Sequence, residues 1–139
     1  MTFCVYTIVN RDQLDRIVVE GTPLTRRESR VWKTADEILR QATAVGEPLP
    51  ILFADAARDC SQLLYWGVLQ KIELGADWTE YTVDRLRTLP GRHATQELVL
   101  RSTGKPIAPG FIRPYAICHV PEFIKSYVDD PELPRHDPS

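Results

Sequence analysis

Leu63-Leu64-Tyr65-Trp66-Gly67-Val68-Leu69-Gln70-Lys71-Ile72-Glu73-Leu74 is the stretch on which the fold turns. Aromatic, β-branched and long apolar residues follow one another with no helical stripe, so it reads as the chain's strongest strand. Gly67 lies inside it, where a missing side chain predicts a bulge or a close approach by another piece of backbone. Downstream, Thr79 to Val83 alternates as a second strand. Residues 83–89 are expected to form a helical turn or two, Pro90-Gly91 is a turn, and Leu98 to Leu100 is a strand ended by Ser102-Thr103-Gly104-Lys105-Pro106. Phe111 to Val120 holds another strand, broken by Pro114, and a short helix is expected from Pro121 through Val128.

Upstream, Glu47-Pro48-Leu49-Pro50 is a turn, followed by a short apolar strand, Ile51 to Ala54. Asp55 to Ser61 connects that strand to the next. Thr34 has the chemistry of an N-cap, with Glu37 three residues on to complete a capping box and Gly46 to close the helix, which predicts a helix over 35–45. Thr25 to Trp32 is polar and Arg-rich and reads as loop or irregular strand. Gly21-Thr22-Pro23 breaks the chain after a short helix at 11–17, and Phe3 to Val9 is a buried first strand. Repeated strand–helix–strand crossovers are absent, which disfavours a doubly wound parallel sheet. The pattern predicts an α+β fold: a small, mostly antiparallel β-barrel with one or two packed helices.

The chain has 139 residues, with 17 Lys and Arg against 19 Asp and Glu, a formal net charge of -2 and 43% hydrophobic residues. That length buries enough surface to need neither disulfide nor metal. Cys4, Cys60 and Cys118 are far apart, none at finger spacing, so no zinc site is expected. Cys118 and His119 are adjacent on a strand and point to opposite faces. An odd cysteine count outside any disulfide framework suggests a reducing compartment. No basic leader and no apolar run of ~18 residues is present, so a cytoplasmic protein without membrane contact is expected. The Pro- and Asp-rich stretch 129–139 is expected to be disordered.

This organisation resembles the PUA-like superfamily, and within it the ASCH and EVE domains. The resemblance rests on Phe3–Val9 as first strand, Trp32-Lys33 leading into the helix, the run Val45 to Phe53 in which a helix ends at Gly and an apolar strand follows, and Tyr65 to Ile72 as the next strand. It covers 3–75, and 76–125 by element order, within one domain at 1–128. ASCH domains often carry Gly-x-Lys-x-x-Glu-x-Arg near the first helix. Here Gly21 to Arg30 has the Gly, a Glu and an Arg but not the Lys or the spacing, so the amidohydrolase-type activity is not carried over. The resemblance implies a barrel with a cleft that receives RNA or a modified base in some relatives.

Thirteen of the cations are Arg and four are Lys, and they are unevenly placed. Residues 11–33 sum to +2, 34–84 to -6, 85–113 to +5 and 122–139 to -3. Arg grips phosphate bidentately and stacks on bases, so the stretch holding Arg85, Arg87, Arg92, Arg101, Lys105 and Arg113, with His93 among them, suits a nucleic-acid backbone; a solvated face with arginines paired to the acids of 34–84 is the plainer alternative. Arg26, Arg27 and Arg30 form a denser cluster beside Trp32. Trp32 and Trp66 are candidate stacking faces for bases, with core packing as the ordinary alternative. Arg113, held extended by Pro114, and Tyr115, with a hydroxyl on the same strand face, are candidate contacts to an anionic ligand. Ser102 to Pro106 lacks P-loop spacing and reads as a hairpin turn.

The leading expectation is therefore a module that binds RNA, single-stranded DNA or a nucleotide through an Arg-lined cleft. One alternative is a small hydrolase on a nucleoside or other polar molecule, with Glu28 or Asp55 and Lys33 as acid–base groups. Another is a protein-interaction module using Trp78 and the acidic tail. No cofactor is expected, and whether the chain is an enzyme is left open.

Overall fold

The computed structural model describes residues 2–55, 62–108, 114–130 and 133. Phe3–Val9 (β1) leads into helix Arg11–Glu20 (α1), then Leu24–Glu28 (β2), helix Lys33–Ala44 (α2), Pro50–Asp55 (β3), Leu63–Leu74 (β4), Thr79–Val83 (β5), Arg87–Thr88 (β6), a 3-10 turn at Thr95–Glu97, Tyr115–His119 (β7) and helix Glu122–Val128 (α3). The strands form one seven-stranded sheet in the order β2-β5-β4-β3-β1-β7, with β6 on β4. Among the described residues no ladder joins β2 to β7. The architecture is thus α+β, with a mixed sheet and, among the described residues, three α-helices.

Five of the six strand pairs are antiparallel, and β1 with β3 is parallel, Val5 opposite Ile51 and Thr7 opposite Phe53. A parallel pair needs a crossover, and α1, β2 and α2 together supply it. The parallel pair is also the most deeply enclosed: β1 and β3 are buried on both faces, which accounts for their nearly unbroken apolar runs. By contrast β5 alternates buried and half-buried positions.

Strand β4 spans the sheet's two halves. Its first part pairs with β3 and β6, its second with β5, and the register shifts between Leu69 and Lys71. Gly67 marks no bulge but a close approach. A Cβ there would sit 2.3 Å from Val83 Cγ1 and 2.7 Å from the Arg85 carbonyl oxygen. The chain leaving β5 crosses directly over that point, where Asp84 fastens it: the Val68 amide donates to Asp84 Oδ1 at 3.0 Å, and the Asp84 amide donates to the Val68 carbonyl at 3.0 Å. The helical turn or two expected over 83–89 does not form; those residues turn around Asp84 and enter β6. The Leu98 to Leu100 strand is likewise reduced to single bridges, Val99 to Pro106 and Leu100 to Cys118.

Two cores lie on the two faces of the sheet. The first gathers Val5, Ile51, Phe53, Leu69, Tyr81 and Val83 under Leu14 of α1 and Ala35, Ile38, Leu39 and Ala42 of α2. The second packs Cys4, Tyr6, Leu52, Trp66 and Cys118 under Leu98, Ile107 and α3. Leu133 is buried in this second core, so the tail expected to be disordered is anchored at that residue; 131–132 and 134–139 lie outside the described residues.

Trp32 sits at the centre of the first core. Its ring stacks on Tyr81 of β5 at 4.6 Å and on Tyr115 of β7 at 4.7 Å, centroid to centroid. Its amide donates to Thr79 Oγ1 at 2.8 Å, and that hydroxyl donates to the Arg30 carbonyl at 2.6 Å. These contacts set where α2 begins. The helix starts at Lys33 with Trp32 as its cap and no side-chain cap bond, so the capping box expected at Thr34 and Glu37 is not used. The Ala35 amide, which a helix cannot satisfy internally, donates to Tyr115 Oη at 2.9 Å.

The two tyrosines differ in one testable respect. Among the described residues Tyr81 Oη, buried near the Arg26 guanidinium, makes no well-formed hydrogen bond, whereas Tyr115 Oη serves the helix. Tyr81→Phe is expected to be neutral or stabilising, while Tyr115→Phe, which orphans the Ala35 amide, costs about 1–3 kcal/mol. Urea denaturation of both variants checks this, and equal losses would refute it. Gly67→Ala is expected to destabilise by about 1–3 kcal/mol through overpacking against Val83 and Arg85, read in the same titration.

Candidate functional site

The first turn of α2 and strand β7 form two walls of a cleft of about 450 Å³ whose lining includes Thr34, Leu100, Arg101, Ser102, Tyr115 and Ile117. The third wall is the 99–105 hairpin. It is tied to the outer edge of β7, the Arg101 amide donating to the Ile117 carbonyl and the His119 amide to the Val99 carbonyl, both at 2.9 Å. Its tip is closed by Leu100 N to Lys105 O and Gly104 N to Leu100 O, with Gly104 at a left-handed φ of 70°. The turn read into Ser102 to Pro106 is what presents Arg101 and Ser102 to the cleft.

Tyr115 contributes both a ring and a hydroxyl. One face of the ring packs on Trp32 while the residue lines the cleft, half-buried. Burial raises the hydroxyl's pKa; the Ala35 amide opposes this, the Glu37 charge adds to it, and the net shift is upward. The group thus stays an O–H donor with one lone pair already engaged. Helix α2 points its positive end at the same space, and Arg101, itself exposed, lies over the Phe3 ring at 5.0 Å.

The residues singled out from sequence fall into different places. Tyr115 lines the cleft. Trp32 is 1% exposed with tyrosines on both faces, so the stacking surface expected of it is occupied by the protein's own rings. Trp66 is 2% exposed in the second core, with the Arg87 guanidinium 5.0 Å from its ring; it too is a core residue. Arg26 binds Glu28 at 3.2 Å and Gln13 at 2.5 Å. Arg27 reaches Glu80 at 3.4 Å and lies 4.2 Å over the Trp78 ring. Both belong to β2, so of the two readings, loop or irregular strand, Thr25 to Glu28 adopt a strand paired with β5. Arg30 is exposed at the end of that strand, and its side chain has no ion-pair partner among the described residues. Arg113 lies outside the described residues, as do Phe111, Ile112, Asp59 and Cys60.

The basic stretch 85–113 is partly internal. Arg87 is held by Asp84 through contacts of 2.7 and 3.0 Å, with only 14% of its side chain exposed. Arg85, Arg92, Arg101 and Lys105 are exposed. Of the acid–base candidates, Glu28 is tied to Arg26, Lys33 is exposed at the start of α2, and Asp55 ends β3 opposite Val9. Trp78 is packed between Arg27 and Gly75, where a Cβ would meet its ring at 2.1 Å. Among the described residues no group of three metal-ligating side chains occurs, and no helix is long and apolar enough to cross a membrane.

The cleft residues that the sequence does not single out for binding are Thr34, read as a helix cap, Ser102, read as part of a turn, and Arg101. Arg101 was visible as one of six cations in a basic stretch, yet nothing local set it apart. Its placement depends on the hairpin pairing with β7, a long-range contact. The chain matches no protein-family model, no curated protein and no solved structure.

His93 gives the basic stretch a pH-dependent element. Its Nδ1 meets Glu97 Oε1 at 2.9 Å, its Nε2 meets the Pro90 carbonyl at 3.0 Å, and its ring stacks on Phe123 of α3 at 3.7 Å. Both ring nitrogens face acceptors, so the doubly protonated imidazolium satisfies them best. Burial lowers the pKa, but the Glu97 hydrogen bond, the Pro90 carbonyl and the Glu97 charge outweigh it, and the net shift is upward. A raised folded pKa contributes stability that is complete below the ordinary histidine value and lost as pH rises through the folded value. The melting temperature is expected to fall from about pH 6 upward across the neutral range, and His93→Gln to flatten that slope. An unchanged slope in the variant would remove His93 as its source.

Proposed function

We propose that the chain is a PUA-like module that binds single-stranded nucleic acid, or a nucleotide unit of it, in the cleft between α2, β7 and the 99–105 hairpin. The observation that carries this reading is the three-ring stack Tyr81–Trp32–Tyr115 ending at a half-buried tyrosine that lines the cleft beside Arg101 and Ser102. A base laid on Tyr115 extends the stack by one ring. Its phosphate meets the Arg101 guanidinium, the Ser102 hydroxyl and the positive end of α2, with Arg30 and Lys33 close by in sequence to Thr34. Support for the PUA-like assignment comes from the order of elements, the long β4 shared by both halves of the sheet, and Trp32 drawing β5 and β7 toward one another. The cleft rather than the buried tryptophans then carries recognition.

Binding of fluorescein-labelled oligonucleotides, followed by anisotropy at low salt, tests the reading. Single strands are expected to bind, with affinity falling as salt rises. Tyr115→Ala is expected to weaken binding by about 5- to 150-fold, the equivalent of one lost base stack. Arg101→Ala is expected to reduce the slope of log affinity against log salt by about 0.7 for the one phosphate it neutralises. No binding at low salt, or binding indifferent to both substitutions in folded variants, would overturn the proposal.

A further inference from the structure

Cys4 and Cys118 stand directly opposite one another in the β1–β7 ladder, flanked by Phe3 opposite His119 and Val5 opposite Ile117. Both are fully buried, and both project into the second core. The phase of the ladder follows from the bond that the Val120 amide donates to the Thr2 carbonyl at 3.0 Å. Thr2 opposite Val120 is a hydrogen-bonded pair, so, two residues on, Cys4 opposite Cys118 is one as well. Consistently, the neighbours Ile117 and His119 turn their backbone groups the other way, to Arg101 and Val99.

We infer that Cys4 and Cys118 form a reversible cross-strand disulfide that fastens β7 to β1. Hydrogen-bonded antiparallel pairs hold their Cα atoms about 5.5 Å apart, inside the range that disulfides span. Their Cβ atoms, about 5.5 Å apart in such pairs, must draw in to about 4 Å. The bond therefore carries strain, and strained disulfides are the easily reduced ones.

Access comes through β7. It is the last strand in the sheet order, and its outer side is covered by one isolated bridge, Leu100 to Cys118, and two backbone hydrogen bonds exchanged with Val99 and Arg101. Terminal strands open locally at lower cost than central ones. In the closed state burial pushes the Cys118 thiol up to about 12 and the Cys4 thiol well above its usual value, with the Cys118 charge adding to the latter. Reaction accordingly starts from the opened strand. A small two-electron oxidant of the peroxide class suits this geometry. The Cys118 thiol gives up its proton, the thiolate attacks one peroxide oxygen, the O–O bond breaks, and the departing hydroxide takes up that proton and leaves as water, giving the sulfenic acid. Cys4 then gives up its proton, its thiolate attacks Cys118 Sγ, the S–S bond forms, the S–O bond breaks, and the departing hydroxide takes up that proton and leaves as a second water. Two thiols and one hydrogen peroxide become one disulfide and two waters.

The full chain, treated with hydrogen peroxide at neutral pH, quenched with N-ethylmaleimide and mapped by mass spectrometry, tests this. The expected result is loss of two of the three thiols, a peptide containing Cys4 joined to one containing Cys118 within a monomer, and Cys60 recovered alkylated. Millimolar glutathione should restore both thiols, and hydrogen exchange of the β7 amides should slow in the linked form. Cys60→Ser should oxidise in the same way, which keeps the test open if the Cys4 or Cys118 variants fail to fold. Retention of all three thiols, a link through Cys60, sulfinic acid without a link, or a link that leaves β7 exchange unchanged would each overturn the inference.

Discussion

The packing of one indole between two phenol rings is the contact on which the rest of the fold depends. Tyr81 lies on β5, next to the β2 end of the sheet, and Tyr115 lies on β7 at the other end, yet both rest on Trp32 within 5 Å. A flat sheet of this order cannot bring those strands to one side chain, so the sheet must curl around the first core. Offset aromatic pairs add about 0.5–1.5 kcal/mol each beyond the area they bury, and here two such pairs share one ring. The same residue fixes the entry of α2, since its amide is held by Thr79. A single position therefore sets sheet curvature, helix register and the wall of the cleft.

That arrangement shows why some elements are legible in the sequence and others are not. Strands β1, β4 and β5 coincide with Phe3–Val9, Leu63–Leu74 and Thr79–Val83 as read from composition and alternation, because local preference and burial agree there. The start of α2 does not. Thr34 has the chemistry of an N-cap, but the buried Trp32 and a hydroxyl arriving from β7 satisfy the helix end instead. Residues 83–89 fail for a related reason: Asp84 binds the β4 backbone across the glycine at 67, and no local signal announces a contact of that kind.

The site is less legible than the fold. Aromatic residues beside arginines suggest a stacking surface, but Trp32 and Trp66 are the side chains a core of this size most needs to bury. Tyr115 keeps access because its strand is at the edge of the sheet and its hydroxyl is drawn toward α2. Arg101 and Ser102 reach the same space only because the 99–105 hairpin pairs with β7. Element boundaries follow from spacing along the chain, while the cleft follows from which edge pairs with which loop.

Charge completes the argument. Arg26, Arg27 and Arg87 are engaged by Glu28, Glu80 and Asp84, so part of the apparent basic surface is paired, Arg27 and Arg87 with acids of the negative segment 34–84 and Arg26 with an acid of its own strand. Such pairs at exposed positions contribute little to stability, but they do cancel long-range field. What remains positive near the cleft is Arg101 and the amino end of α2, close to Lys33 and Arg30. An anion approaching a chain of net charge -2 meets no general attraction, so the proposed binding would depend on short-range contacts at one place. On the proposed reading, stacking on Tyr115 would supply the affinity that a weak field cannot, with the ring tower Tyr81–Trp32 behind it holding that tyrosine in position.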